Sequence, residues 1–506
     1  MGSRTKNTKR NIITSYIYIL LNYLFQFISR SFMIHYLGEQ YLGLSSLFSS
    51  ILQFLNLTEL GFAGAIVYNM YKPLADNDVD TVCALLNYYK VIYRKIGTII
   101  LIAGVSVLTF IPKLISGSYP TDINIRLLYL LYLSNTVISY FLFAYKTSLL
   151  EATQRIDYVR IAHIVVILIQ YPLQIAALVL FRNYYLFVIV LIISSGAKNV
   201  VVAWFAKKYY PQYVCRGDLT ESIKYSIITR VKGLMIGSIG TATSALDSVV
   251  ISSVVGLTAV AQYNNYIIIM GGVGSVIAML RKAMQPSVGN SVAKETVEKN
   301  YNDLLLWQFM FSFIASWCVS CLYTLYQPFM KLWMGEGMLL PAHDVVMICV
   351  MFNVSIIQHS YYLYLSGGGL WWELRWPYIF EMITNLLLNI ILGKFFGISG
   401  VIFASLFVTI VSGLIWQCKI ILSEYFKKSI WGFLKREILY FAVSIVVTIF
   451  TYLSVKKICS HITGVVGFTA QAVLSVVISG ILLVLIYYKT LIFKKAFIFM
   501  KRAIKA

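Results

Sequence analysis

Charge is what this chain is shortest of. Only 12% of its 506 residues are Asp, Glu, Lys or Arg, about half the share usual in soluble domains. That scarcity argues against a soluble enzyme. With 59% apolar and 15% aromatic residues, apolar stretches recur along the whole chain and leave no space for a large soluble domain, so the bilayer is its solvent. Acidic residues are scarcer still, 20 against 42 Lys and Arg, for a net charge of +22. This surplus does not require a nucleic-acid partner, because basic residues are retained in short cytoplasmic loops during membrane insertion. The seven cysteines have no disulfide-like pattern. Cys318 and Cys321 form a CxxC, but inside an apolar helix with no second pair, which favours packing over zinc. The clusters Gly271-Gly272-Gly274 and Gly367-Gly368-Gly369 lack the strand context of a phosphate loop. The first is expected to loosen its helix and the second to make a cytoplasmic turn. No metal-ligand cluster, nucleophile motif or nucleotide site is visible, so catalysis and ATP-driven pumping are disfavoured and no cofactor is expected.

What is present is span after span. Apolar windows with their flanking charges predict transmembrane helices over 12–34, 42–67, 92–115, 125–147, 159–181, 184–206 and 233–255. Seven more follow over 260–281, 304–326, 343–365, 376–395, 399–421, 438–455 and 466–488. The stretch from Ile12 to Ile34 follows Arg4, Lys6, Lys9 and Arg10, but it is too long for a signal peptide and has no small-residue cleavage site. It is therefore read as the first span. From a cytoplasmic N-terminus, only Lys113, Arg126, Arg182, Lys331, Lys394, Lys456 and Lys457 fall on the outer side. Arg30 and Lys198 fall within spans, and every other Lys and Arg is inner. This asymmetry favours an even number of spans with both termini cytoplasmic, as expected of a bacterial inner-membrane protein.

A weak internal repeat is visible. Leu37-Gly38, Leu42-Gly43 and Pro73 around the second span are echoed by Val255-Gly256, Val260-Ala261 and Pro286 around the eighth. The expected fold is all-α and polytopic, with about fourteen transmembrane helices in two six-helix lobes around a central cavity, plus two C-terminal helices. The division is residues 1–206, an inter-lobe linker over 207–232, a second lobe over 233–421, and 422–506 for the last two spans and a basic tail.

Polar residues in hydrocarbon are costly unless they face a bundle interior or water. Here they form stripes. The first span carries Asn22, Gln26 and Arg30 at intervals of four, and the second carries Ser49, Gln53, Asn56 and Glu59. His163, Gln170 and Gln174 lie on the fifth span beside Pro172, and Thr241, Ser244, Asp247 and Ser248 on the seventh. Glu381, Asn385 and Asn389 lie on the eleventh. Such residues either glue helices together or line a hydrated cavity. The amides Asn22, Gln26, Gln53, Asn56, Gln170, Gln174, Asn385 and Asn389, with Arg30, are the cavity candidates. Arg30 and Lys198 can also be read as snorkelling to the nearer surface. Glu59 and Asp247 lie deep enough to carry a coupling proton or Na+.

The segment LGEQYLGLSSLFSSILQFLNLTELGFAGAIVYNMYKPLA, from Leu37 to Ala75, resembles the first two helices of Wzx-type polysaccharide flippases. These belong to the multidrug/oligosaccharidyl-lipid/polysaccharide exporter superfamily. LDSVVISSVVGLTAVAQYNNY (Leu246 to Tyr266), SVGN (Ser287 to Asn290) and GLWWELRWPYIFEMITNLLLNIILGKFFGISGV (Gly369 to Val401) are similar to later helices of the family. The likeness runs over roughly residues 1–425. It implies a flippase that moves a polyprenyl-pyrophosphate-linked oligosaccharide from the inner to the outer leaflet by alternating access, for capsule, exopolysaccharide or O-antigen synthesis. Polymerase and glycosyltransferases of the same pathway are implied partners, together with membrane lipids and without nucleic acid. Sugars suit the amides, and the pyrophosphate suits Arg30 with Arg281 and Lys282 at the inner mouth. Two other readings stand beside it. An ion-coupled drug or metabolite exporter of the same superfamily would share the fold. A polyprenyl-linked polymerase or glycosyltransferase would need a long external loop rich in Arg or carboxylates, which is lacking.

Overall fold

The structure is a computed structural model. It describes the backbone of residues 2–59 and 61–505, and all side chains except those of residues 1–6, 8, 57, 58, 60, 236–244, 500 and 502–506. It divides into two compact units, Met1–Ala261 and Gln262–Ala506. Among the described residues there is no strand. Among the same described residues nine helical stretches are long and apolar enough to cross a membrane, and a bent helix pair makes a tenth. The fourteen expected spans fall on helical segments. The chain is an all-α, multi-pass membrane protein.

The first unit runs through α1 (Gly2–Tyr36), α2 (Glu39–Leu55), α3 (Phe62–Ala75), α4 (Val79–Val107), α5 (Ile125–Phe141) and α6 (Lys146–Ala152). It continues with α7 (Ile156–Phe181), α8 (Tyr184–Tyr209) and α9 (Glu221–Val254). Two departures from the expected spans matter. The second span is broken, with a 3-10 turn at Asn56–Glu59 and Gly61 at φ 108° before α3. Only glycine takes that backbone without strain, and a Cβ there would lie 3.1 Å from the Val231 carbonyl of α9. The fourth span is bent by 56° between α5 and α6. α9 packs along α2 and α3 and touches the 56–59 turn.

The tightest approach in this unit is at Gly43 of α2. A Cβ there would lie 2.2 Å from the Leu257 carbonyl oxygen, which is backbone and cannot rotate away. Gly43→Ala is therefore expected to destabilise the protein by about 2 kcal/mol or more through overpacking. A lower midpoint in a detergent thermal melt checks this, and an unchanged midpoint contradicts the contact.

The chain continues with α10 (Leu257–Lys294), α11 (Val297–Met334), α12 (Ala342–Gly368) and α13 (Arg375–Val408). A π-helix (Thr409–Gln417), α14 (Cys418–Glu424), α15 (Ile430–Ile458), α16 (Gly464–Tyr487) and α17 (Leu491–Lys505) complete it. The expected loosening at Gly271-Gly272-Gly274 is not seen, since α10 is helical throughout. Spans eleven and twelve meet within α13 at a break on Gly397, at φ 60° and ψ −135°.

The last two spans, unmatched in the repeat, are built closely onto α11. Ser312, Ser316, Ser320 and Thr324 recur every fourth residue, and the last three donate to the carbonyl four residues back at 2.7–2.9 Å. Satisfied hydroxyls this small let two helices approach closely. Ser320 meets Thr448 of α15 at 3.0 Å, and Gln308 donates to the Phe433 carbonyl at 3.1 Å. The basic tail is itself a helix. Phe493 of α17 packs on Phe309 and Phe313, while Lys494, Lys495 and Lys501 are exposed.

Candidate functional site

The break in the second span builds the most elaborate polar centre of the first unit. Where α2 ends, the 3-10 turn brings Asn56 and Glu59 against α4 and α5. The Tyr140 hydroxyl lies 2.5 Å from Glu59 Oε2 and 3.1 Å from Asn56 Oδ1. Tyr93 donates to the other carboxylate oxygen, and Tyr89 stacks edge-on to Tyr93 at 4.4 Å. A carboxylate at lipid depth is thus held by phenol donors rather than by a cation, an arrangement that suits binding and release of a small cation.

Arg30 lies near the other end of α1. Its charge faces Tyr132 and Tyr184, whose hydroxyls are 2.8 Å apart. Tyr132 also donates to Ser45 at 3.0 Å. Tyr41 stacks edge-on to Tyr184 and donates to Asp122 at 2.5 Å. Arg30 therefore turns into the unit, and the alternative of snorkelling does not apply.

The amides divide into two sets. Asn22 and Gln26 are half-buried and Gln53 is exposed, and none makes a side-chain hydrogen bond among the described residues. Ser49, beside Gln53 on α2, is exposed as well. By contrast, Gln170 and Gln174 are only 4% and 2% exposed. Gln170 donates to Gln174 at 3.2 Å, and Gln174 donates to the Phe187 carbonyl of α8 at 3.3 Å. Asn389 donates to Asn385, and Asn385 to Ser405, each at 2.9 Å. Gln170, Gln174, Asn385 and Asn389 are thus engaged along their own helices and with neighbouring segments, as in the helix-joining alternative. Lys198, expected to snorkel, donates instead to Gln170 at 3.1 Å.

Asp247 is buried on α9, with Ser248 beside it. The side chains of Thr241 and Ser244 lie outside the described residues. In the second unit Arg281 is half-buried with its guanidinium 5.9 Å from the Tyr362 ring centroid, while Lys282 is exposed. Glu381 sits against the π-helix, with the Ser412 hydroxyl 3.1 Å from its carboxylate. Tyr362 donates to Gln417 at 3.0 Å.

Sequence reasoning missed Glu437, which was placed in a loop. It is buried on α15, with the Ser312 hydroxyl 3.2 Å from Oε2. Four-residue spacing of Gln308, Ser312, Ser316, Ser320 and Thr324 was the signal that a helix packs closely there. Among the described residues no group of three His, Cys, Asp or Glu side chains is placed to hold a metal.

The fold defined by these helices is that of polytopic transporters of the MOP superfamily. A multidrug resistance MATE family transporter of that superfamily, inward-facing, superposes with a TM-score of 0.62 at 13% identity, over 78% of this chain and 92% of its own. The lipid II flippase MurJ, in an inward closed conformation, gives 0.56 at 15% identity over 94% and 98%. A MOP superfamily transporter from Pyrococcus furiosus, whose binding pocket is described as reversed in polarity, gives 0.55 at 14% over 84% and 97%. These three structures are of two transporters and a flippase. No family model and no curated protein matches the chain.

Proposed function

We propose that the protein is a flippase for polyprenyl-pyrophosphate-linked oligosaccharides, moving them across a bacterial inner membrane by alternating access between two lobes, residues 1–206 and 233–421. The observation that carries the reading is the open stripe Asn22–Gln26, on the α1 face that continues to the inward-turned Arg30. Unspent amides suit sugar hydroxyls, and a guanidinium suits a pyrophosphate. The Wzx-like segments and a fold shared with a lipid II flippase over nearly the whole chain support it. The basic ends of the helices then face the cytoplasm, with both termini, and Arg281 and Lys282 stand at the inner mouth.

Deleting the gene should make lipid-linked repeat units accumulate in the inner leaflet, read by extraction and by protection from an external glycosidase. Normal outer-leaflet delivery in the deletion strain would refute the reading. The carboxylates of half-buried Glu59 and buried Asp247 favour a second reading, an ion-coupled exporter of smaller molecules. It requires gradient-driven efflux of a drug or metabolite from vesicles with no effect of the deletion on lipid-linked sugars.

A further inference from the structure

Arg160, His163 and Lys198 belong to no contact used above beyond the bond from Lys198 to Gln170. All three are half-buried in the first unit, on α7 and α8. The His163 ring packs on Tyr18 of α1 at 5.5 Å between centroids. The Arg160 guanidinium lies over the same tyrosine at 5.1 Å, and His163 is within electrostatic reach of both Arg160 and Lys198.

Charge accounting isolates this group. The nearby carboxylate, Asp157, is already held by Arg10 at 2.9 Å and by Arg155 at 2.9 Å. Among the described residues neither Arg160 nor Lys198 has a carboxylate within ion-pair reach. Arg160 Nε and His163 Nδ1 are buried with no hydrogen-bond partner. Arg160 alone, one turn into α7, has an interfacial explanation. Lys198 does not, because Gln170, to which it donates, is fourteen residues into that helix, about 20 Å. Unneutralised cations at that depth call for a counter-charge.

We infer that Arg160 and His163, packed on Tyr18, form with Lys198 an anion station that holds the diphosphate of the lipid-linked substrate. This rests on the flippase reading and names its headgroup site. The group offers donors and positive charge, so it selects a multi-oxygen anion over a sugar hydroxyl. Tyr18 also begins the four-residue series that continues through Asn22 and Gln26 to Arg30. Arg30 lies twelve residues, about 18 Å, further along α1. A headgroup leaving the station meets two open amides and then a second cation.

The test uses the full chain in phosphatidylcholine nanodiscs, with farnesyl diphosphate titrated by calorimetry. Wild type should bind it at least about tenfold more tightly than farnesol, and the double variant Arg160→Gln/Lys198→Gln should lose about tenfold or more of that affinity. Arg160→Lys should retain most of it. Competition by inorganic pyrophosphate would show that the diphosphate alone is recognised, and failure to compete would show that the lipid-linked form is required; either outcome upholds the station. Unchanged affinity in a double variant that melts like wild type overturns it. If that variant does not fold, His163→Asn serves instead: weaker binding supports the station and unchanged binding overturns it. Loss of binding in the variants, from a protein that moves no lipid-linked sugar, upholds the station and refutes the flippase reading.

Discussion

Glu59→Gln is expected to abolish gradient-driven transport while sparing substrate binding. The carboxylate accepts from Tyr93 and Tyr140, and Tyr140 also touches Asn56. The two phenols hold a carboxylate whose oxygens can take a small cation. An amide of the same shape keeps one acceptor and the packing, but carries no charge and cannot take up a proton. The loss should therefore fall on coupling. Tyr140→Phe removes one donor and leaves Tyr93, and should retain partial coupling. Uptake into proteoliposomes with imposed proton or sodium gradients measures both variants. Unchanged gradient dependence in Glu59→Gln and in Asp247→Asn would remove both residues from the coupling role.

Glu59 was legible as a charge in a span, but its setting was not. Hydropathy treats residues 42–67 as one continuous window, and the break depends on Gly61 adopting a φ of 108°. That conformation is visible only in the backbone. The all-α fold and its spans were readable because lipid forces every backbone group into a helix. Apolar runs and basic loops therefore carry most of the signal. The amides were not separable in sequence. Asn22, Gln26, Asn385 and Asn389 show the same spacing of four, yet the first two are open and the last two are closed into a ladder with Ser405. Only the neighbouring helix decides between those outcomes. Glu437 escaped notice because its flanking charges, Lys435 and Arg436, read as a loop. In the structure α15 begins at Ile430 and buries the carboxylate against α11.

Arg30→Ala should lower flipping by about ten- to a hundredfold without changing membrane abundance, as expected when a charged contact to a diphosphate is lost. The two halves of that expectation have separate causes. Abundance should hold because the cluster around Arg30 does not depend on it. The Tyr132 and Tyr184 hydroxyls bond to each other at 2.8 Å, Tyr132 bonds to Ser45 at 3.0 Å, and Tyr41 bonds to Asp122. Removing the guanidinium leaves those phenols paired. Flipping should fall because Arg30 is the one cation on the open stripe of α1, and amides alone bind a diphosphate weakly. Arg30→Lys should recover only part of the rate, since an ammonium supplies the charge but not the paired donors of a guanidinium. Quantitative membrane blotting with outer-leaflet delivery of labelled lipid-linked sugar reads both quantities in one strain. Wild-type delivery by Arg30→Ala would remove Arg30 from the path. Reduced delivery in step with reduced abundance would make it a folding residue instead.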